Sequence, residues 1–181
     1  MKSQFSRLKL GALSVLVAIP SFNINAATVN GTLGVTATVG AGCQVNNSNV
    51  TSGIVDFGTL NFGSINTVGA ANIDAQTTGG GSGGIVMECS NGTPFTITLD
   101  NGLHFAGGTR AMANASAPST LLSYTLYQNA ARALPWTVGT PLTSTANGAP
   151  TTFNVYGRIP GGQSGISAGN YSDTIQVVIT W

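Results

Sequence analysis

Thr174-Ile175-Gln176-Val177-Val178-Ile179-Thr180-Trp181 alternates more cleanly than any other stretch of the chain. Ile175, Val177, Ile179 and Trp181 fall on one face, with Gln176, Val178 and Thr180 on the other. Successive side chains of a strand point to opposite faces, so this is a strand built to be buried on one side. Moving back along the chain, Thr151 to Arg158, a short segment around Trp136, and Leu122 to Tyr127 have the same strand-like character. Ile85 to Cys89 and Phe95 to Leu99 flank a turn at Asn91-Gly92, which predicts a hairpin. Ile54 to Gly63 is apolar-rich and broken by glycines. Val29 to Val39 places Val29, Leu33, Val35, Ala37 and Val39 at period two, leaving Thr, Gly and Asn on the other face. The best helical candidate, Arg110 to Ala117, is weak and short. Seven or eight short strands separated by turn signals predict an all-β domain, a β-sandwich of immunoglobulin-like type.

The N-terminus has a different character. Lys2, Arg7 and Lys9 precede an apolar run from Leu10 to Ile19, followed by Pro20 and a polar stretch closing on Ala26-Ala27. That layout predicts a secretory signal peptide over residues 1–26, cut after Ala26. The apolar run is well short of the roughly 20 residues that cross a bilayer as a helix. Beyond residue 26 the chain has no lysine. Arg110, Arg132 and Arg158 face Asp56, Asp74, Glu88, Asp100 and Asp173, for a net charge of about minus two. Three dispersed arginines cannot neutralise a row of phosphates, so nucleic acid is excluded as a partner. Charged residues make up only 6% of the chain, which also excludes disorder driven by charge repulsion. Residues 27–181 suffice for one domain with a real core, and no internal repeat or linker interrupts them.

Cys43 and Cys89 are the two cysteines. In an exported chain the simplest reading pairs them, as a structural rather than a redox-active disulfide. Closing that loop would remove on the order of 4 kcal/mol of unfolded-chain entropy. No cysteine or histidine stands at metal-ligand spacing, so neither a metal nor a cofactor is expected.

Two motifs match in form only. Gly79, Gly81 and Gly84 satisfy GxGxxG, and Gly80-Gly81-Ser82-Gly83-Gly84 satisfies GxSxG, but both need a following helix. Here the next residues, Ile85-Val86-Met87-Glu88-Cys89, are strand-like. A triad would have to recruit His104, the one histidine, which beside Asn101-Gly102 reads as a surface residue. The five acids are scattered, with no pair placed for glycoside chemistry. No catalytic residue is expected, and the chain is not read as an enzyme.

Several pieces taken together in order resemble a known family. They are the alternating strand before Gly42-Cys43, Asp56-Phe57-Gly58-Thr59-Leu60-Asn61-Phe62-Gly63, and Thr78-Gly79-Gly80 leading to Ile85-Val86-Met87-Glu88-Cys89. Tyr124-Thr125-Leu126-Tyr127 with Ala131-Arg132 and Trp136 follows, then Gly169-Asn170-Tyr171-Ser172-Asp173-Thr174 before the last strand. This series resembles the spore coat protein U domain family, which includes the pilins of archaic chaperone-usher systems. The resemblance implies an incomplete immunoglobulin-like β-sandwich, completed by donor-strand exchange. Its groove would lie beside the C-terminal strand of Ile175, Val177, Ile179 and Trp181. Residues 27–41 would be the donor strand, with Val29, Leu33, Val35, Ala37 and Val39 as inserted knobs, and residues 42–181 the pilin domain. The implied partners are neighbouring copies in a homopolymer, a periplasmic chaperone and an outer-membrane usher. The implied destination is the cell surface, reached through the periplasm, where a pilus would support adhesion and biofilm formation. Without the resemblance, residues 29–39 read rather as the first strand of a complete sandwich. A tip adhesin and a non-fimbrial spore or cyst coat protein are the alternative roles within the same fold.

Overall fold

The computed structural model describes residues 28–46, 53–77 and 84–181, so the expected signal peptide over residues 1–26 lies outside the described residues. Contacts separate a first unit ending at Ala37 from a second, Thr38–Trp181. In the first unit residues 28–37 are exposed and carry no strand. The second unit is all-β, with no helix among the described residues.

Its strands are β1 (Cys43–Val45), β2 (Ile73–Gln76), β3 (Ile85–Cys89), β4 (Pro94–Leu99), β5 (Arg110–Asn114), β6 (Leu121–Tyr127), β7 (Leu142–Thr145), β8 (Thr151–Phe153), β9 (Tyr156–Ile159), β10 (Tyr171–Ser172) and β11 (Val177–Thr180). They form three antiparallel sheets in the orders β1-β3-β8, β10-β5-β6-β9-β2 and β11-β4-β7. One sandwich core joins all three sheets. Ile85, Met87 and Cys89 come from the first, Leu122, Tyr124, Leu126 and Ile159 from the second, and Phe95, Ile97 and Leu99 from the third. Alternation decides which residues enter it, as in β6, where Leu122, Tyr124 and Leu126 are buried and their neighbours half-buried. Trp136, just past β6, is fully enclosed and hangs on β6 through its backbone N–H to Leu126 O at 2.8 Å.

Three expectations need correction. The hairpin expected across Asn91-Gly92 does not form: β3 pairs with β1 and β8, whereas β4 pairs with β11 and β7. The turn is real, closed by Thr93 N–H to Ser90 O at 3.1 Å, but it carries the chain from one sheet to another. Turn residues reverse a chain without fixing which backbones pair. The stretch Arg110–Ala117, weak and short as a helical candidate, is strand β5 and the turn after it, where pairing with β6 and burial of Ala111 and Ala113 override the helical propensity of Arg, Ala and Met. The single run Thr151–Arg158 is split at Asn154-Val155 into β8 and β9, which lie in different sheets. Among the described residues, eleven short strands therefore replace the seven or eight expected.

Candidate functional site

The Ile54–Ile65 run contains no strand, although Val55, Phe57, Leu60, Phe62 and Ile65 pack against the core while Ile54 is exposed. The local chemistry repeats. In Asp56-Phe57-Gly58 the Gly58 N–H donates to Asp56 Oδ1 at 2.8 Å, and in Asn61-Phe62-Gly63 the Gly63 N–H donates to Asn61 Oδ1 at 2.8 Å. Both glycines hold positive φ, 81° and 75°, which the Asx turns require and other residues resist. Each turn breaks the backbone out of a regular ladder and sends a phenylalanine toward the core. Phe62 meets Tyr124 edge-on at 6.4 Å and, with Leu60, packs on the bare backbone of Gly157, where a Cβ would collide with them.

Opposite this run lies the C-terminal one. Inward and outward residues alternate from Tyr171 to Thr180, and Ile175, Val177 and Ile179 pack against the core. Among the described residues β11 has a sheet partner on one side only, β4. Between the two runs the sandwich is open, leaving a groove of about 1800 Å³. Its floor is core: Ile85, Leu99, Leu122, Leu126 and Ile159 all contribute. Ile175, Val177, Ile179 and Trp181 line it together, Val177 and Ile179 within β11 and the other two flanking that strand. Trp181 differs from the other three in being exposed. A slot with an apolar floor beside an unpaired strand edge suits an extended backbone with apolar side chains at alternate positions.

One end of the groove is polar, and the sequence reading did not bring its residues together. The Asp173 side chain is 2% exposed and accepts from the Tyr124 hydroxyl at 2.6 Å and from Leu103 N–H at 2.9 Å, with His104 Nδ1 3.1 Å away. His104 is thus half-buried against a carboxylate, not simply a surface residue. Asp100 Oδ1 accepts from Gly102 N–H and from Gln176 N–H, both at 2.9 Å. Two carboxylates therefore tie the start of the C-terminal run to the turn after β4. Gly102 is required there: its φ is 76° and a Cβ would strike Asp173. Burial pushes the Tyr124 hydroxyl far above the ordinary tyrosine range, reinforced by its hydrogen bond to Asp173, so it remains a donor. Arg110 is buried beside them and donates to the carbonyls of Asp100 and Trp136. The only sequence signal for this cluster was an acid inside the alternating C-terminal run, at an inward position.

Cys43 and Cys89 form a disulfide with Cα atoms 4.0 Å apart. The loop it closes contains the Ile54–Ile65 wall of the groove. The expected donor residues Val29, Leu33, Val35 and Val39 are between 84% and 92% exposed, and Ala37 is exposed with them. Residues 28–40 form no strand, because period-two alternation specifies which side would be buried but supplies no backbone to pair with. No group of three or more metal-binding side chains occurs among the described residues. Of the two motifs matching in form only, Gly84 alone is described, and it leads into strand β3 rather than a helix.

The Spore Coat Protein U domain matches the chain over residues 29–178. "Protein U" of Myxococcus xanthus is 33% identical over 95% of this chain and 96% of its own length. Two solved structures are similar at lower coverage. A chaperone–tip adhesion subunit pre-assembly complex from the archaic chaperone-usher Csu pili of Acinetobacter baumannii matches 80% of this chain at 26% identity, with a TM-score of 0.46. A chaperone–tip adhesin complex of CFA/I fimbriae biogenesis matches 77% at 16% identity, with a TM-score of 0.43. The chain spans 40% and 41% of those two chains.

Proposed function

The chain belongs to the Spore Coat Protein U domain family, and from that premise we propose that it is a structural subunit of a chaperone-usher surface pilus, polymerising by donor-strand complementation. The observation that carries this reading is the open apolar groove along the one-sided strand β11. Residues 1–26 are a signal peptide, 27–41 the donor strand and 42–181 the pilin domain. Val29, Leu33, Val35, Ala37 and Val39 of one copy enter the groove of the next. At roughly 1.5 to 3 kcal/mol for each fully buried Val or Leu, four such side chains make a long-lived joint before backbone bonds are counted. The contact is head-to-tail and does not close, so it propagates into a fibre. A periplasmic chaperone covers the groove before assembly, an outer-membrane usher exchanges it for the next subunit, and the fibre serves adhesion and biofilm formation at the cell surface. The role is structural and includes no catalytic step.

The test is co-expression with chaperone and usher, comparing wild type with Leu33→Asp/Val35→Asp. SDS-resistant ladders and surface fibres are expected in the wild type and absent in a variant that is still exported and chaperone-bound. A stable wild-type monomer without chaperone sinks the reading, since residues 29–39 would then be the first strand of a complete sandwich. The family description and the relative named Protein U favour a second reading, a coat laid on spores or cysts through the same joint. Electron microscopy separates the two: discrete filaments support the pilus, a continuous layer the coat.

A further inference from the structure

The two ends of the groove are distinguishable, and that fixes more than the joint itself. β4 starts just after the Cys43–Cys89 corner and runs to Leu99; β11 lies antiparallel to it, with Thr180 opposite Thr96 and Val177 opposite Leu99. Trp181 therefore lies toward the disulfide end of the sandwich, while Asp173 lies at the far end, bonded to Leu103 N–H. The N-terminal segment is joined to the body at the disulfide end. Ser90 donates through Oγ to Gly40 O at 2.8 Å and through its backbone N–H to Gly42 O at 3.0 Å. An end that both emitted its own segment and received its neighbour's would have to face two bodies at once. A filament needs the two functions at opposite ends, so on the donor-strand reading the inserted segment would run antiparallel to β11 and its last residues, Ala37 to Val39, would lie beside Asp173.

From there the chain has little slack. Gly40 to Gly42 reach at most about 10 Å before the neighbour's disulfide corner begins. What that corner would meet is apolar. Leu103, 72% exposed, lines the mouth of the groove. Phe105 and Val138, also exposed, line an adjoining depression of about 370 Å³. Accordingly, we infer that Leu103, Phe105 and Val138 form a second subunit–subunit contact, covered in the fibre by the Cys43–Cys89 corner of the copy whose strand fills the groove. The contact rests on the donor-strand reading above and goes beyond it: the joint is braced, body against body, instead of swinging on three residues. Groove and patch are continuous through Leu103, so one neighbour covers both.

The test uses fibres assembled by the full chain with its chaperone and usher. With photoreactive benzoylphenylalanine replacing Leu103, irradiation should cross-link neighbours into multimers that survive boiling, and mass spectrometry should place the bond within residues 39–43 or 89–92 of the neighbour. In Phe105→Glu/Val138→Glu, SDS-resistant ladders should persist at wild-type yield while the persistence length of the fibres falls at least twofold. Normal ladders with cross-links elsewhere, or with an unchanged persistence length, overturn the contact and leave the donor-strand joint standing. Absence of ladders in the wild type removes the joint and the contact with it.

Discussion

The Tyr124 hydroxyl lies 2.6 Å from Asp173 Oδ2, and through that bond strand β6 holds the start of the C-terminal run that borders the groove. Asp173 is enclosed, so its charge is tolerated only while its donors are in place. Tyr124→Phe removes one donor and leaves the others, at a cost of about 1.5 to 3 kcal/mol, the range for a hydrogen bond to a charged group. Asp173→Ala removes the anchor altogether and should destabilise more. Urea denaturation of the mature protein, given in cis a second copy of residues 28–40 to fill the groove, measures both. Equal stability of Tyr124→Phe and wild type would show that Asp173 does not depend on this bond.

The disulfide should act on the groove as well as on the fold, because the loop from Cys43 to Cys89 carries the Ile54–Ile65 wall. That wall has no ladder of its own, so its placement relies on packing of Phe57, Leu60 and Phe62 and on the closed loop. Cys43→Ser/Cys89→Ser should lose on the order of 4 kcal/mol, as the loop-entropy model gives. The measurement is the urea midpoint of the double variant against the oxidised parent. Chaperone capture of the reduced chain should fall in parallel, and a variant captured as well as wild type would show that the wall holds without the closure.

How far the sequence reaches is clearest at β11 and β5. Val177 and Ile179 were legible because alternation is a local property, and their inward placement follows from it directly. β5 was not, since Arg110-Ala111-Met112-Ala113-Asn114 favours a helix locally and becomes a strand only through β6. The groove itself was not legible from residues alone, because an open edge is the absence of a partner, and periodicity records only which face wants covering. The Asp173 cluster was hidden for a related reason: Asp100, Leu103, His104 and Tyr124 reach it across long sequence separations that no local motif marks.

Acid should loosen the β2–β9 pair first. Asp74 sits against Arg158 through two bonds of 2.7 and 2.8 Å, with Arg132 3.3 Å away. The hydrogen bond from Arg158, with the charges of both arginines, holds its carboxyl below the ordinary aspartate range. A depressed carboxylate stabilises the fold above its unfolded pKa, near 3.9, and loses that contribution as pH falls through the lower folded value. The contribution should therefore be intact at neutral pH, begin to fall only as the pH nears about 4, and be lost below the lowered folded value. Because the site is partly exposed, Asp74→Asn should lower the melting temperature at pH 7 only slightly, by about 2 °C, and the difference should shrink as the pH falls below about 4. A gap that does not narrow at all as the pH falls below about 4 would mean that Asp74 acts through packing instead of charge.

Face specificity along β11 gives the most direct separation of fold from assembly. Val177 points into the groove and packs on the core, whereas its neighbour Val178 points out and is half exposed. An aspartate at 177 would place an unpaired charge where the incoming strand must seal out water, an unfavourable term of several kcal/mol, larger than any one apolar side chain returns. At 178 the same substitution stays in solvent. Val177→Asp should abolish SDS-resistant ladders, while Val178→Asp should assemble within about twofold of wild type. The readout is ladder yield from cells carrying chaperone and usher, with the exported amount of each variant measured alongside. Loss of assembly in both variants would mean that the outer face of β11 is buried in the fibre too, and assembly by both would mean that the strand is received somewhere other than beside Val177.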